Sequence, residues 1–227
     1  MDFLAVAMIA PLAVVLGFAS LVPYAKMELI SSDLKTHWVM YVLVPFLAAC
    51  LVPNAGLPVQ VVVLCLALGA LIDRNIAYAP DGLVIPLLAM SCILSPVLSG
   101  FDWWMRLGFA VAFYVVADLA WTLQVRLGKQ FITPADILSL LMPYLFFGLS
   151  LPYLLFNPLL ALSVITLKHL PALHRIISKP EAVEDAIGDT QMNDNVIALT
   201  LLTVSYPIFM LLIIWDHHSG LMQPSMP

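Results

Sequence analysis

The chain has 227 residues, of which 63% are hydrophobic and 10% charged, with a mean hydropathy of +1.02 and a formal net charge of −5. This is the composition of an integral membrane protein, and it excludes an ordinary soluble domain. Only nine Lys and Arg are spread along the sequence, so no basic surface is available for nucleic acid. Cys50, Cys65 and Cys92 all fall in apolar segments with no CxxC pairing, which reads as small buried hydrophobes rather than a metal site.

A helix needs about 20 apolar residues to cross a bilayer. The segments here are apolar all round, so spans are placed by charge gaps and Pro/Gly breaks rather than by periodicity. The sequence begins Met-Asp and enters apolar residues without a basic leader region, so Phe3–Val22 reads as a retained first span. A polar loop follows from Lys26 to His37. The second span is Trp38–Val52, stopped by Pro53-Asn54-Ala55-Gly56. The third is Leu57–Ile72, ending on Asp73, and the fourth is Leu83–Leu98. The fifth, Trp104–Val125, has Trp103 and Trp104 as interface anchors and is closed by Arg126 and Lys129.

Ile137–Leu167 then carries no charge in 31 residues. As one straight helix it would be about 46 Å long, against a hydrocarbon core of about 30 Å. Gly148 and Pro152 near its centre divide it into a sixth span, Pro134–Phe147, and a seventh, Leu151–Leu167. The last span is Val196–Trp215. The expected fold is therefore all-α: one polytopic membrane domain over 1–227, with about eight transmembrane helices and a polar loop at about 168–195.

The basic residues support the division. With eight spans one face receives Lys26, Lys35, Arg74, Arg126, Lys129, Lys168, Arg175 and Lys179, and the other only Arg106. The positive-inside rule makes the first face cytoplasmic. A single span over 137–167 would reduce the bias to five against four. The 168–195 loop opens basic and turns acidic at Glu181, Glu184, Asp185, Asp189 and Asp194. It lacks the ligand alternation and fixed Gly of a calcium loop and reads as a solvated cytoplasmic connection. No metal or other cofactor is expected, at His217-His218 or elsewhere.

A carboxylate in or at the edge of a membrane segment is expensive, which makes it a functional candidate. Apart from Asp81, three such residues lie toward the predicted cytoplasmic side: Asp73 at the end of the third span, Asp136 at the head of the sixth, and Asp118. The last is eight residues before Arg126, about 12 Å deep in a helix. Two carboxylates brought together share a proton, because like charges at short range cannot both ionise. The ionised member can take a proton from water while the protonated member polarises a peptide carbonyl. That is peptide hydrolysis without a metal or a covalent intermediate.

Asp73, followed by Ala79-Pro80-Asp81 and then Pro86-Leu87-Leu88, resembles the first aspartate region of the type IV prepilin peptidases. The second aspartate of that family closes a Gly-x-Gly-Asp motif, and here Asp136 stands 63 residues after Asp73. Leu16-Gly17-Phe18-Ala19-Ser20 is loosely similar to the family's Gly-Ser-Phe region. The second motif departs from the pattern. It reads Thr133-Pro134-Ala135-Asp136, with both glycines replaced, and Leu138 stands where the family usually has a basic residue. The cysteine-rich cytoplasmic domain of many members is absent, and Met27–His37 takes its place. The resemblance implies a short family member in the bacterial inner membrane with its active site toward the cytoplasm. It would be an aspartic endopeptidase, with Asp73 and Asp136 catalytic. Its substrate would be a prepilin-like precursor with an N-terminal hydrophobic helix, held within the lipid bilayer, whose leader it would cut. The amino-methyltransferase activity of the bifunctional members is not implied.

Each residue also has a plain structural reading. Thr133, Pro134 and Asp136 form a helix start, with Thr as N-cap, Pro at N1 and Asp at N3. Pro80-Asp81-Gly82 is a turn in which Asp81 can cap the fourth span. Asp73 can pair with Arg74 or reach the interface. Tyr114 and Asp118, with Asp136 on the next span, are similar in outline to the presenilin-like intramembrane proteases, while a buried Asp118 bonded to another span is the structural alternative. At the level of the whole chain, the alternative to a peptidase is a non-enzymatic scaffold subunit of a pilus or secretion apparatus. A transporter with Asp118 as ion site lacks the broken, repeated spans that would support it.

Overall fold

The computed structural model describes residues 3–23, 27–76, 80–127, 133–169 and 201–220, which form eight helices and no strand. They are α1 (Phe3–Leu21), α2 (Met27–Cys50), α3 (Leu57–Ile76), α4 (Asp81–Ile93), α5 (Trp103–Arg126), α6 (Pro134–Phe147), α7 (Leu151–His169) and α8 (Leu201–Ser219). Three of them, through Leu4–Leu21, Leu57–Ile76 and Trp103–Arg126, are long and apolar enough to cross a membrane. The chain is thus an all-helical protein with membrane-spanning capacity. Lys26, Ala79, Lys129 and residues 170–200, which include most of the predicted polar loop and the first part of the predicted last span, lie outside the described residues.

The bundle is built around α3. Val62, Val63, Leu64, Leu66, Leu68 and Ile72 are fully buried, and consecutive buried positions mean a helix enclosed on every side. α1, α2, α4 and α8 all pack on it. α5 is the opposite case. It buries only Ala110 and Ala117 and turns Val111, Val115, Val116, Leu119 and Leu123 outward. An outward apolar face of that extent suits lipid rather than water. Trp103 and Trp104 stack at 3.5 Å at its exposed start.

α1 approaches α3 and α4 closely because two glycines make room. A Cβ on Gly17 would meet Ile72 Cδ1 at 3.1 Å and Leu83 Cδ1 at 3.2 Å. A Cβ on Gly82 would overlap the Leu16 carbonyl, with its carbon at 2.9 Å. Small residues at such crossings let helix backbones approach where lipid offers no hydrophobic drive.

The split of the long apolar stretch falls where the sequence predicts. α6 ends at Phe147, Gly148 takes φ +62°, and α7 begins at Leu151. Only glycine adopts that backbone readily, which is why the helix stops there.

Other boundaries differ. The predicted loop before His37 is helical from Met27, because Ile30, Leu34 and Tyr41 recur at helical spacing and face the core while Lys35 and Thr36 stay exposed. The charge gap concealed an amphipathic first half. α3 runs one turn past Ile72, so Asp73 opens the last turn of the helix rather than following its end. α4 stops at Ile93 rather than Leu98, since Pro96 disfavours helical backbone at Ser95. Arg106 secures this corner, donating to the carbonyls of Ile93 (2.6 Å), Phe101 (2.9 Å) and Ser99 (3.0 Å). The basic residue that stood apart in the charge count is therefore occupied with carbonyls.

The close crossing at Gly82 predicts that Gly82→Ala costs about 1–3 kcal/mol, as overpacking does. Gly108→Ala in α5, where nothing lies within 4 Å of the added methyl, is expected to be neutral or to stabilise by about 0.5–1 kcal/mol. Thermal unfolding of the two variants in detergent checks the contrast.

Candidate functional site

Asp73 is 1% exposed. It follows Gly69 by four residues, so the two share a face of α3. Thr203 and Tyr206 share a face of α8 in the same way. The Thr203 hydroxyl donates to Asp73 Oδ2. The Tyr206 ring lies over Gly69, where a Cβ would be 2.7 Å from Cε2 and 3.0 Å from Cδ2. The order of these two pairs makes α3 and α8 antiparallel. It also places Tyr206 one turn deeper in the bundle than Asp73.

Tyr206 is 2% exposed, and among the described residues its hydroxyl has no hydrogen-bond partner. Asp73, Cys65 and Asp136 are the titratable groups within electrostatic range of it. Asp136 reaches this region because α6 packs on α8. Farther along the same contact, Phe146 and Phe147 close edge-on against Phe209, with ring centroids 5.6 and 5.5 Å apart.

Asp136 is held by its own helix start. Thr133 Oγ1 accepts from the Asp136 amide at 3.2 Å, and Asp136 Oδ2 accepts from the Thr133 amide at 3.0 Å and from its hydroxyl at 2.7 Å. This is the reciprocal capping box that the sequence suggests, with Pro134 in the first turn. The second oxygen, Oδ1, is buried and has no hydrogen-bond partner among the described residues. Ala135 and Leu138 are both buried, Leu138 completely. An apolar side chain is what that position can hold.

The other candidates lie elsewhere. Asp81 is the acid in the first turn of α4, directly after Pro80 at the N-cap position, where a carboxylate suits the positive end of the helix. Asp118 is exposed on α5, the least buried helix, and so is not the buried interhelical residue of the alternative reading. Among the described residues no group of three or more His, Cys, Asp or Glu side chains is arranged to hold a metal ion.

Sequence reasoning missed a polar cluster beside the end of α3. The Tyr41 hydroxyl donates to Asp33 Oδ2 and accepts from Asn75 Nδ2 at 2.7 Å, and His37 Nε2 lies 3.9 Å from Asp33 Oδ1. Tyr41 also packs edge-on against Phe18, with centroids 5.0 Å apart. Asn75 is two residues after Asp73, so this cluster fixes the turn of α3 that carries the carboxylate. Thr203 and Tyr206 were missed too. They lie 130 and 133 residues from Asp73 in a helix that is mostly apolar as far as Trp215.

Comparison of the chain with family models, curated proteins and solved structures finds no match.

The capping box predicts the effect of its removal. Thr133→Ala is expected to cost about 1 kcal/mol, and Thr133→Ser much less, since serine caps equally well. Amide hydrogen exchange in the first turn of α6 should rise in the alanine variant and stay near wild type in the serine one.

Proposed function

We infer that this chain is a membrane-embedded aspartic endopeptidase, similar to the type IV prepilin peptidases, that removes the leader of pilin-like precursors. The observation that carries the reading is the convergence of two acids from separate helices. Asp73 of α3 is bonded to Thr203 of α8, and Asp136 opens α6, which packs on the same α8. In this mechanism two carboxylates that meet at the scissile bond share a proton, which supplies a base and an acid at once. The ionised carboxylate takes a proton from water as its oxygen attacks the peptide carbonyl. The protonated one gives its proton to the departing amine. The acid and base roles belong to the pair.

The substrate follows from the surroundings. A precursor whose N-terminal hydrophobic helix lies among the spans would present its basic leader at the membrane edge. Thr133 is the cap that aims Asp136, and Asp81 opens the helix after the Asp73 turn. The bias of basic residues toward one set of loops supports a cytoplasmic edge, which in this reading is that of a bacterial inner membrane.

One observation favours a second reading. The Thr133–Asp136 capping box accounts for an acid at position 136 without chemistry. In that case the chain is a non-enzymatic scaffold of a pilus or secretion apparatus.

Cleavage of a co-expressed prepilin-like precursor separates the two. Asp73→Asn and Asp136→Asn should each lower cleavage by about 10³-fold or more at normal protein levels, as loss of an essential reacting group does. Asp118→Asn should cleave like wild type. A wild-type chain that leaves every co-encoded pilin-like precursor uncut establishes the scaffold reading instead.

A further inference from the structure

An unpartnered hydroxyl in a dry interior is costly. A buried donor left unsatisfied loses its bonds to water and gains none in return, so packing alone would favour phenylalanine at position 206. The ring of Tyr206 is well seated without its oxygen: it fills the space left by Gly69 and is 2% exposed. The hydroxyl has no bond to make among the described residues, yet its ring lies over Gly69, one turn from Asp73, on the helix whose Thr203 holds that acid. Asp73 Oδ2 is engaged by Thr203, and Asp136 Oδ2 by Thr133. Asp136 Oδ1 has no partner among the described residues. A donor on α8 and an acceptor at the start of α6, two helices that pack together, are thus left over.

We propose that Tyr206 is a third catalytic residue, whose hydroxyl donates a hydrogen bond to the carbonyl oxygen of the scissile peptide bond and holds it between Asp73 and Asp136. The proposal rests on the peptidase reading above. As the water oxygen bonds to the carbonyl carbon, the C=O electron pair moves onto oxygen, and the Tyr206 O–H stabilises that oxyanion while keeping its own proton. The water proton goes to the ionised carboxylate. When the oxyanion collapses, the C–N bond breaks and the amide nitrogen takes the proton of the other carboxyl group, giving an acid and an amine. A fixed donor in a water-excluded site needs no reorganisation during this step. Thr203 is a positioning residue, acting through Asp73.

The test uses the full chain in detergent with a purified prepilin-like precursor, comparing wild type, Asp73→Asn, Tyr206→Phe, Gly69→Ala and the Gly69→Ala/Tyr206→Phe pair. Tyr206→Phe should lower kcat by about 10²-fold, as loss of one oxyanion donor does, with KM within about twofold and a Tm equal to or above that of wild type. Gly69→Ala, whose methyl displaces the ring, should also lower kcat. The double variant should be no worse than Tyr206→Phe, because both changes remove the same interaction. Full kcat in Tyr206→Phe with Asp73→Asn inactive would overturn the role of Tyr206 and leave the peptidase standing. A Tm that falls together with kcat in Tyr206→Phe, with Gly69→Ala additive to it, would make Tyr206 structural and overturn the role as well. A wild type that cuts nothing overturns both.

Discussion

Asp73 is 1% exposed inside the most enclosed helix of the bundle, where water cannot solvate its carboxylate. A buried acid must be solvated by protein groups or lose its charge. The Thr203 hydroxyl meets part of that need, and it ties α8 to α3 across 130 residues of sequence. Gly69 allows the tie to close, because any side chain there would strike Tyr206. On the other flank, Asn75, Tyr41 and Asp33 hold the turn that carries the acid. Gly17 lets α1 seal the helix near Ile72. The packing around α3 is thus arranged about one polar group in an apolar setting.

The two acids are held by opposite means. Asp73 comes from the last turn of a helix and is bonded from a distant one. Asp136 comes from the first turn of its helix and is bonded by its own N-cap. Local bonds set the direction of Asp136 before the bundle assembles, whereas the bond to Asp73 exists only once α8 has docked. The site is therefore complete only in the packed bundle, even though half of it is fixed by four consecutive residues.

What the sequence revealed and what it concealed divide along the same line. The break at Gly148, the helix start at Thr133 and the two acids were legible because each is written in a few adjacent residues. The helical reach of α2 was not, since charge was taken as a loop where Ile30, Leu34 and Tyr41 form an inward stripe. The shorter α4 follows from Pro96, whose effect on the preceding residue was outweighed by the apolar run. Thr203 and Tyr206 were invisible for a different reason. In a mostly apolar helix no periodicity marks the face that meets α3, and a lone hydroxyl there looks like packing. Asp118 drew attention as an acid in an apolar span, and only the exposure of α5 separates it from the others.

The double use of Asp136 has a consequence for reading related chains. One of its oxygens stabilises a helix and the other has no partner among the described residues, so even a descendant without the proposed activity would be selected to keep an acid or amide there. Asp73 differs in that its bond to Thr203 comes from another helix, and the burial of its carboxylate works against folding. On the proposed peptidase reading, drift after loss of catalysis would erase the first aspartate before the second, and the persistence of Asp73 in a homologue would be the better sign of a working enzyme.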